Sequence, residues 1–179
     1  MAVETDVRLG SFEESLEELG VTWTRTTTGE FADAVREAVA EPAVGAPLPF
    51  AELSLSGTGV TLRPTPAQLR AAETGVTAAR FGIAEYGTLA IQSRPGGDEP
   101  VSLYPERHVA ILRECDLVAD LPAAVDRLGE EFAAGHDSTV FATGISATGD
   151  MGDFVEGVHG PLEVHVIVVD TGAEEEVRA

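Results

Sequence analysis

The sequence predicts an α/β fold in which a mainly parallel sheet is flanked by helices. Amphipathic segments alternate along the chain with short β-branched runs, and that order is typical of helices packed against a parallel sheet. The 179 residues are 44% hydrophobic, which is enough to bury one core without disulfides. No long linker interrupts the pattern, so we expect a single domain over residues 1–179 with an acidic tail over 172–179.

The N-terminal part of the chain predicts two helices separated by a strand. A capping-box spacing at Ser11 begins a helix that ends at Gly20. Residues 21–27 alternate and are rich in threonine, which is typical of a strand. A second amphipathic helix is predicted over 30–40, where Pro42 follows its end.

The central part of the chain predicts shorter elements. Thr65 supplies an N-cap and Gln68 a capping-box partner for a short helix that begins with a proline. Pro95 and the glycines after it predict an exposed loop over 94–100. The expected elements are a short strand and loop over 43–57, a strand over 59–62, a helix over 65–73, and β segments over 76–84 and 88–93.

The C-terminal part predicts buried strands on either side of one helix. Residues 108–112 are apolar after His108, which is typical of a buried strand. A helix is predicted over 122–134. Val125, Leu128 and Phe132 form the apolar face expected for that helix. The last two strands are expected over 139–142 and 162–169.

The charge balance excludes several classes of function. The chain has 31 aspartates and glutamates, 11 arginines and no lysine, for a net charge of −20. Binding to nucleic acid or to an anionic membrane needs cations that face phosphates, so neither partner is expected. The acidic start lacks a signal-peptide pattern, and no apolar run is long enough to span a bilayer, which predicts a cytoplasmic protein.

The acidic excess also predicts a protein adapted to a salt-rich cytoplasm. Like charges repel one another and oppose the compact state, and salt screens that repulsion. We therefore expect a higher midpoint of thermal unfolding in molar KCl than in low salt. Equal midpoints would indicate instead an acidic protein from an ordinary cytoplasm.

The cysteine and histidine content predicts no metal centre and no cofactor. Cys115 is the single cysteine, so neither an internal disulfide nor a four-thiolate cluster is available. Glu114 and Asp116 beside it disfavour a reactive thiolate, which leaves a structural thiol. The four histidines do not have the spacing of a zinc site.

A glycine-rich segment over 143–153 is one candidate site. It follows an apolar strand and contains Ser146, Thr148 and Asp150. Ligands of open α/β folds bind at the carboxyl ends of strands, where glycine backbones and hydroxyl groups can cradle an anion. The segment lacks the ending of a Walker A loop, and a plain flexible turn is the alternative interpretation.

Three further segments carry polar side chains that could serve a site. His159 lies between glycines before a strand and is either a general base or structural. Glu85 lies in an apolar stretch at a tight turn before Thr88, and is either a perturbed carboxylate or a cap of backbone groups. Arg107 precedes His108 and a buried strand, and either binds a small organic acid or is solvated.

These segments, in this order, resemble the LUD domain of the lactate utilization protein C family. The matching sequences are IAEYGT over 83–88, LYPERH over 103–108, GISATGDM over 144–151 and GVHGP over 157–161. The resemblance covers about residues 60–170. Ala147 stands where the family usually has arginine, which removes a cation from the glycine-rich segment.

The resemblance implies a fold similar to the NagB/RpiA/CoA-transferase group and a part in oxidising L-lactate to pyruvate. The implied role is an accessory or small-anion-binding subunit, with a small organic acid as ligand and iron–sulfur subunits as partners that carry the redox chemistry. The alternatives are a free-standing enzyme of acyl or sugar-phosphate chemistry, by analogy of fold alone, and a structural interaction module. The expected pocket consists of Glu85, Thr88, His108, Ser146, Thr148, Asp150 and His159.

Overall fold

The computed structural model describes the backbone of residues 2–150, 153–156 and 160–172, and the side chains of residues 5–146 and 160–172. The helices are α1 (Ala2–Glu18), α2 (Phe31–Ala38), α3 (Pro66–Ala71), α4 (Asp98–Leu103) and α5 (Leu121–Ala133). The strands are β1 (Thr22–Thr27), β2 (Ala43–Gly45), β3 (Thr61–Leu62), β4 (Thr74–Ala78), β5 (Phe81–Ile83), β6 (Thr88–Gln92), β7 (Arg107–Arg113), β8 (Leu117–Val118), β9 (Thr139–Thr143), β10 (Ala147–Asp150), β11 (Asp153–Glu156) and β12 (Glu163–Asp170). None of these helices is long and apolar enough to cross a membrane.

A six-stranded parallel sheet forms the framework of the fold. Its strands lie in the order β1-β12-β7-β4-β2-β3, and every neighbouring pair is parallel. Parallel neighbours need crossover connections, and helices α2, α3 and α4 lie between successive strands of this sheet. This sheet confirms the predicted α/β fold with a mainly parallel sheet flanked by helices.

A second sheet has four strands in the order β8-β5-β6-β9. Its β5–β6 and β6–β9 pairs are antiparallel, whereas β5 and β8 are parallel. The β segments predicted over 76–84 and 88–93 contain β5 and β6, which form an antiparallel hairpin around residue 86. Strands β10 and β11 form a separate antiparallel hairpin within the glycine-rich segment.

The β segment predicted over 76–84 is divided between the two sheets. The N–H of Ala79 donates to the carbonyl of Ile111 in β7 at 2.8 Å, whereas the N–H of Arg80 donates to the carbonyl of Ala90 in β6 at 2.7 Å. The chain therefore changes sheet between these two neighbouring residues. The sequence predicts one segment because both halves are buried and mostly apolar, and Arg80 at the boundary is a single charged residue between them.

Two apolar cores lie on the opposite faces of the parallel sheet. On β7, Ala110 and Leu112 pack with α1 and β6. Val109 and Ile111 pack on the other face with α2. Because side chains alternate along a strand, His108 lies on the first face, between the parallel sheet and the second sheet.

Two helices differ from the sequence prediction in extent. α1 begins at Ala2, well before the predicted start at Ser11. α4 begins at Asp98, inside the stretch predicted as an exposed loop over 94–100. The carboxylate of Asp98 is buried and bound to Arg94, and this pairing explains why a polar sequence is held against the sheet rather than exposed.

The apolar face predicted for α5 is only partly buried. Val125 is 56% and Phe132 is 48% exposed, whereas Leu128 packs against the buried cluster on the outer face of the second sheet. Ala124 is the α5 side chain that is fully buried in this cluster. The helix is therefore rotated relative to the face that the sequence predicts.

Candidate functional site

A cavity of about 250 Å³ lies between the two sheets, on the α1 side of the parallel sheet. Strands β6 and β9 line one side, β7 and β12 line the other, and residues of α1 and α4 complete the wall. Its polar side chains among the described residues are Ser102, His108 and Ser146, and Thr143 borders it with its side chain on the same face of β9 as Phe141. Its apolar side chains include Leu16, Leu89, Ile91, Val140, Ile145 and Val164.

The cavity lies at the amino ends of three parallel strands. Val21 immediately precedes β1, His108 is near the start of β7, and Val164 is near the start of β12. The expectation that the glycine-rich segment follows the carboxyl end of a parallel strand is therefore wrong. That segment follows β9, which belongs to the second sheet and is antiparallel to its neighbour β6.

His108 contributes a buried imidazole to the cavity wall. The residue is 2% exposed, and its Nε2 lies 2.8 Å from Oγ1 of Thr77 in the neighbouring strand β4. Removal from water lowers the pKa of His108 to about 4, so the ring is neutral near pH 7. A neutral imidazole has one donor and one acceptor nitrogen, so the ring and the Thr77 hydroxyl are complementary in either tautomer.

Ser146 brings a second polar side chain to the same lining. Its N–H donates to the carbonyl of Pro161 at 2.9 Å, which fixes the backbone beside the start of β12. A Cβ atom at Gly160 would lie only 3.2 Å from Cβ of Ser146, so glycine leaves room for the serine side chain. Within the described part of the chain, the Ser146 hydroxyl has no recorded hydrogen bond and can serve a ligand.

Thr88 lies beside the cavity rather than in its lining. It is paired across the sheet with Thr143, and the two hydroxyl oxygens are 2.7 Å apart. Thr143 borders the cavity, so Thr88 positions a bordering residue through this hydrogen bond. A role for Thr88 in binding stays a prediction.

Two left-handed glycines allow Leu19, which directly follows α1, to pack against the cavity lining. Gly87 and Gly144 line the cavity and have φ angles of 60° and 72°. A Cβ atom would lie 2.9 Å from a methyl carbon of Leu19 at Gly87, and 3.3 Å from one at Gly144. Both positions therefore need glycine for conformation and for packing.

The structure places Glu85 outside this lining. It lies in a single turn of 3-10 helix after β5, and it is exposed, so the expected burial in an apolar surrounding is wrong. Its N–H donates to the carbonyl of Ala119 at 3.0 Å, and its carbonyl accepts from the Ser15 hydroxyl at 3.2 Å. The backbone of Glu85 thus secures the turn, while its carboxylate points away from the buried interior.

Three predicted site residues lie where the structure describes no side chains. Thr148 and Asp150 are on β10, whose backbone pairs with β11, so this stretch is a hairpin rather than a loop. His159 lies outside the described residues. The structure therefore brings His108 and Ser146 to one cavity, with Thr88 next to it, and the remaining assignments stay predictions.

Arg107 is engaged on the opposite side of the parallel sheet. Its Nε donates to Oε2 of Glu163 at 2.7 Å, and its Nη1 donates to the carbonyl of Ala38 at 3.2 Å. It lines a separate cavity of about 320 Å³ together with His165, whose Nδ1 lies 2.8 Å from the Thr22 hydroxyl. Arg107 is 35% exposed and its partner Glu163 is 61% exposed, which fits the interpretation of a solvated arginine, and binding of a small organic acid by Arg107 stays a prediction.

Sequence reasoning missed Thr77, the partner of His108. It lies in a buried apolar strand, and a single threonine there gives no signal of a site because β-branched residues are common in strands. The apolar walls were also not predicted, since Leu89, Ile91 and Val140 have the same pattern as ordinary core residues.

No group of three histidine, cysteine or acidic side chains suited to a metal ion occurs among the residues with described side chains. Cys115 is partly buried. Its burial and the negative charge of the neighbouring Asp116 both raise the pKa of its thiol. A raised thiol pKa disfavours the thiolate, which fits a structural cysteine.

Comparison with solved structures supports the described architecture. The crystal structure of a DUF162 family protein from Deinococcus radiodurans superposes with a TM-score of 0.74 and 26% sequence identity. The superposition covers 92% of this chain and 98% of that protein. The two proteins therefore share nearly the whole fold.

Comparison with known sequences identifies the family. Lactate utilization protein C of Deinococcus radiodurans is 30% identical over 173 residues, which are 90% of this chain and 79% of that protein. Lactate utilization protein C of Shouchella clausii is 34% identical over 106 residues, so the match spans 46% of its length. Lactate utilization protein B of the same organism is 28% identical over 104 residues, or 21% of its length. The LUD domain model matches residues 11–169, and the chain belongs to the LUD domain family.

Proposed function

We propose that this chain is an accessory, ligand-binding subunit of a system that oxidises L-lactate to pyruvate, with iron–sulfur subunits as its partners. The names of its relatives, lactate utilization proteins B and C, support a place in lactate utilization. The single cysteine, Cys115, supports an accessory role, because a subunit with one thiol leaves cluster-based redox chemistry to other chains.

The inter-sheet cavity is the binding site in this proposal, and His108 is the observation that carries it. A buried polar side chain needs a partner, and an apolar residue at this position would avoid that requirement. The His108 ring has one partner, Thr77, among the described residues and forms part of the wall of an open cavity. A neutral ring that faces such a cavity can donate or accept one further hydrogen bond.

Filling the cavity is expected to abolish lactate-dependent growth while the protein stays folded. Ala142 lies on β9 with its side chain in the cavity wall, so Ala142→Phe places an aromatic ring in the space that a ligand would occupy. The measurement is growth on L-lactate of a host that lacks its own copy and carries the variant. Circular dichroism of the purified variant establishes that the secondary structure is retained.

The matched control places the same side chain on the exposed surface. Ala133 is an exposed residue at the end of α5, so Ala133→Phe is expected to support growth like the unaltered protein. Growth that is unaffected by Ala142→Phe would contradict the binding site and favour a structural interaction module. Turnover of an acyl or sugar-phosphate substrate by the purified protein alone would contradict the accessory role.

A further inference from the structure

We infer that the cavity between the two sheets selects an uncharged, mostly apolar small molecule with one carbonyl or amide group, and that it discriminates against free carboxylates and phosphates. The inference rests on the proposed function, because it concerns the ligand of the same cavity. It departs from the small-anion ligand that the sequence resemblance implies, and it makes the ligand a molecule other than lactate.

The cavity wall is mostly apolar. Leu89 and Ile91 of β6 face it from the second sheet, and Val164 of β12 faces it from the parallel sheet. Leu16 of α1 and Ile145 add further hydrocarbon surface. A ligand with a compact apolar body gains from leaving water for such a site, because the walls offer it contacts without any desolvated charge.

The polar side chains of the lining are neutral, and most of their hydrogen-bonding capacity is used internally. The Ser102 hydroxyl donates to the carbonyl of Glu99 at 2.8 Å, and the hydroxyl of Thr143, which borders the cavity, is shared with Thr88. His108 and Ser146 retain capacity for a ligand among the described side chains. One ring nitrogen and one hydroxyl suit a single carbonyl, which accepts hydrogen bonds, or a single amide, which accepts through its oxygen and donates through its N–H.

The described part of the lining contains no arginine or lysine. Two arginines of the chain are paired with carboxylates elsewhere. Arg107 is bound to Glu163 on the other face of the sheet, and Arg94 is bound to the buried carboxylate of Asp98. The chain has no lysine, and its sequence over 147–159 contains no arginine. Arginine and lysine are the groups that recognise carboxylates and phosphates in proteins, so an anion would enter this cavity without a counter-charge.

Pairs of nearly isosteric probes test this charge selectivity. Benzamide is compared with benzoate, and L-lactamide with L-lactate, by titrating each into the protein and following its NMR resonances at pH 7.5. Molar KCl screens the long-range repulsion of the acidic surface, so the remaining preference reports the cavity itself. We expect each amide to bind at least about tenfold more tightly than its carboxylate, with shifts at Ser146 and Leu89.

Two variants separate the possible outcomes. Val140→Arg adds a cation on the face of β9 that also carries Ala142, and should reduce or reverse the preference for the amides. Ala142→Phe fills the cavity and should abolish the shifts from every probe that binds there. Carboxylates that bind the unaltered protein as tightly as the amides would overturn the inference and leave the cavity as a binding site. A lack of cavity shifts from all four probes would overturn both the inference and the proposed site.

Discussion

Gly75→Ala is expected to lower the free energy of unfolding by about 3 kcal/mol, because a side chain has no room at this position. A Cβ atom at Gly75 would overlap the carbonyl oxygen of Val101 in α4 and lie 3.0 Å from Cγ of Pro105. The overlapping atom belongs to the backbone, so α4 has to move away from β4. Chemical denaturation with a two-state fit measures the loss.

The same substitution at a glycine with open space provides the control. Gly129 lies inside α5, and no atom lies within 4 Å of the position that a Cβ would occupy. Gly129→Ala should raise the free energy of unfolding by about 0.5–1 kcal/mol, because alanine has the higher helix propensity. Equal effects of the two substitutions would show that α4 does not pack closely on Gly75. Since α4 supplies Ser102 to the cavity wall, Gly75→Ala should also weaken ligand binding.

The buried imidazole of His108 is expected to make the protein about 3 kcal/mol less stable at pH 4 than above pH 6.5. Burial lowers the pKa of His108 from 6.5 to about 4 in the folded protein. Between these values the unfolded chain binds a proton that the folded chain does not, so stability rises with pH through this window and is flat above it. Denaturation at pH 4.5 and at pH 7.5 measures the difference.

His108→Gln isolates this contribution from the many carboxylates. Glutamine does not titrate, and its amide can still reach Thr77, so the variant keeps a polar partner for that hydroxyl. Burial and the nearby Arg107 also lower the pKa of His165, but that effect is present in both proteins and cancels in the comparison. We expect the stability of the unaltered protein to rise more steeply with pH than that of the variant. Parallel dependence on pH would contradict a neutral, buried His108.

Local signals predicted many elements of the fold. The capping box between Thr65 and Gln68 is present at the start of α3, with proline at the first helical positions. The buried strand predicted over 108–112 is the centre of β7, and the strand predicted over 162–169 is β12. These predictions succeed because caps, prolines and continuous apolar runs depend on neighbouring residues and on complete burial.

The predictions that failed concern features set by contacts between residues that are far apart in the chain. The boundary at Ala79 and Arg80 is set by which partner strand each N–H meets, and no local pattern records that choice. Glu85 is flanked by apolar residues in sequence, but the 3-10 turn directs it outward. The position of the cavity at the amino ends of the parallel strands follows from how the second sheet packs on the first, which periodicity does not determine.

Intermolecular nuclear Overhauser effects between benzamide and the protein's methyl groups show whether a small uncharged molecule binds in the inter-sheet cavity, because they locate the bound molecule. We expect contacts from the ring to methyl groups of Leu89, Ile91 and Val164, which line the cavity from both sheets. Ala142→Phe should remove these contacts. Contacts confined to the exposed methyl groups of Leu121 and Val125 on α5 would contradict the account, because they would place the ligand on the surface and leave the cavity without one.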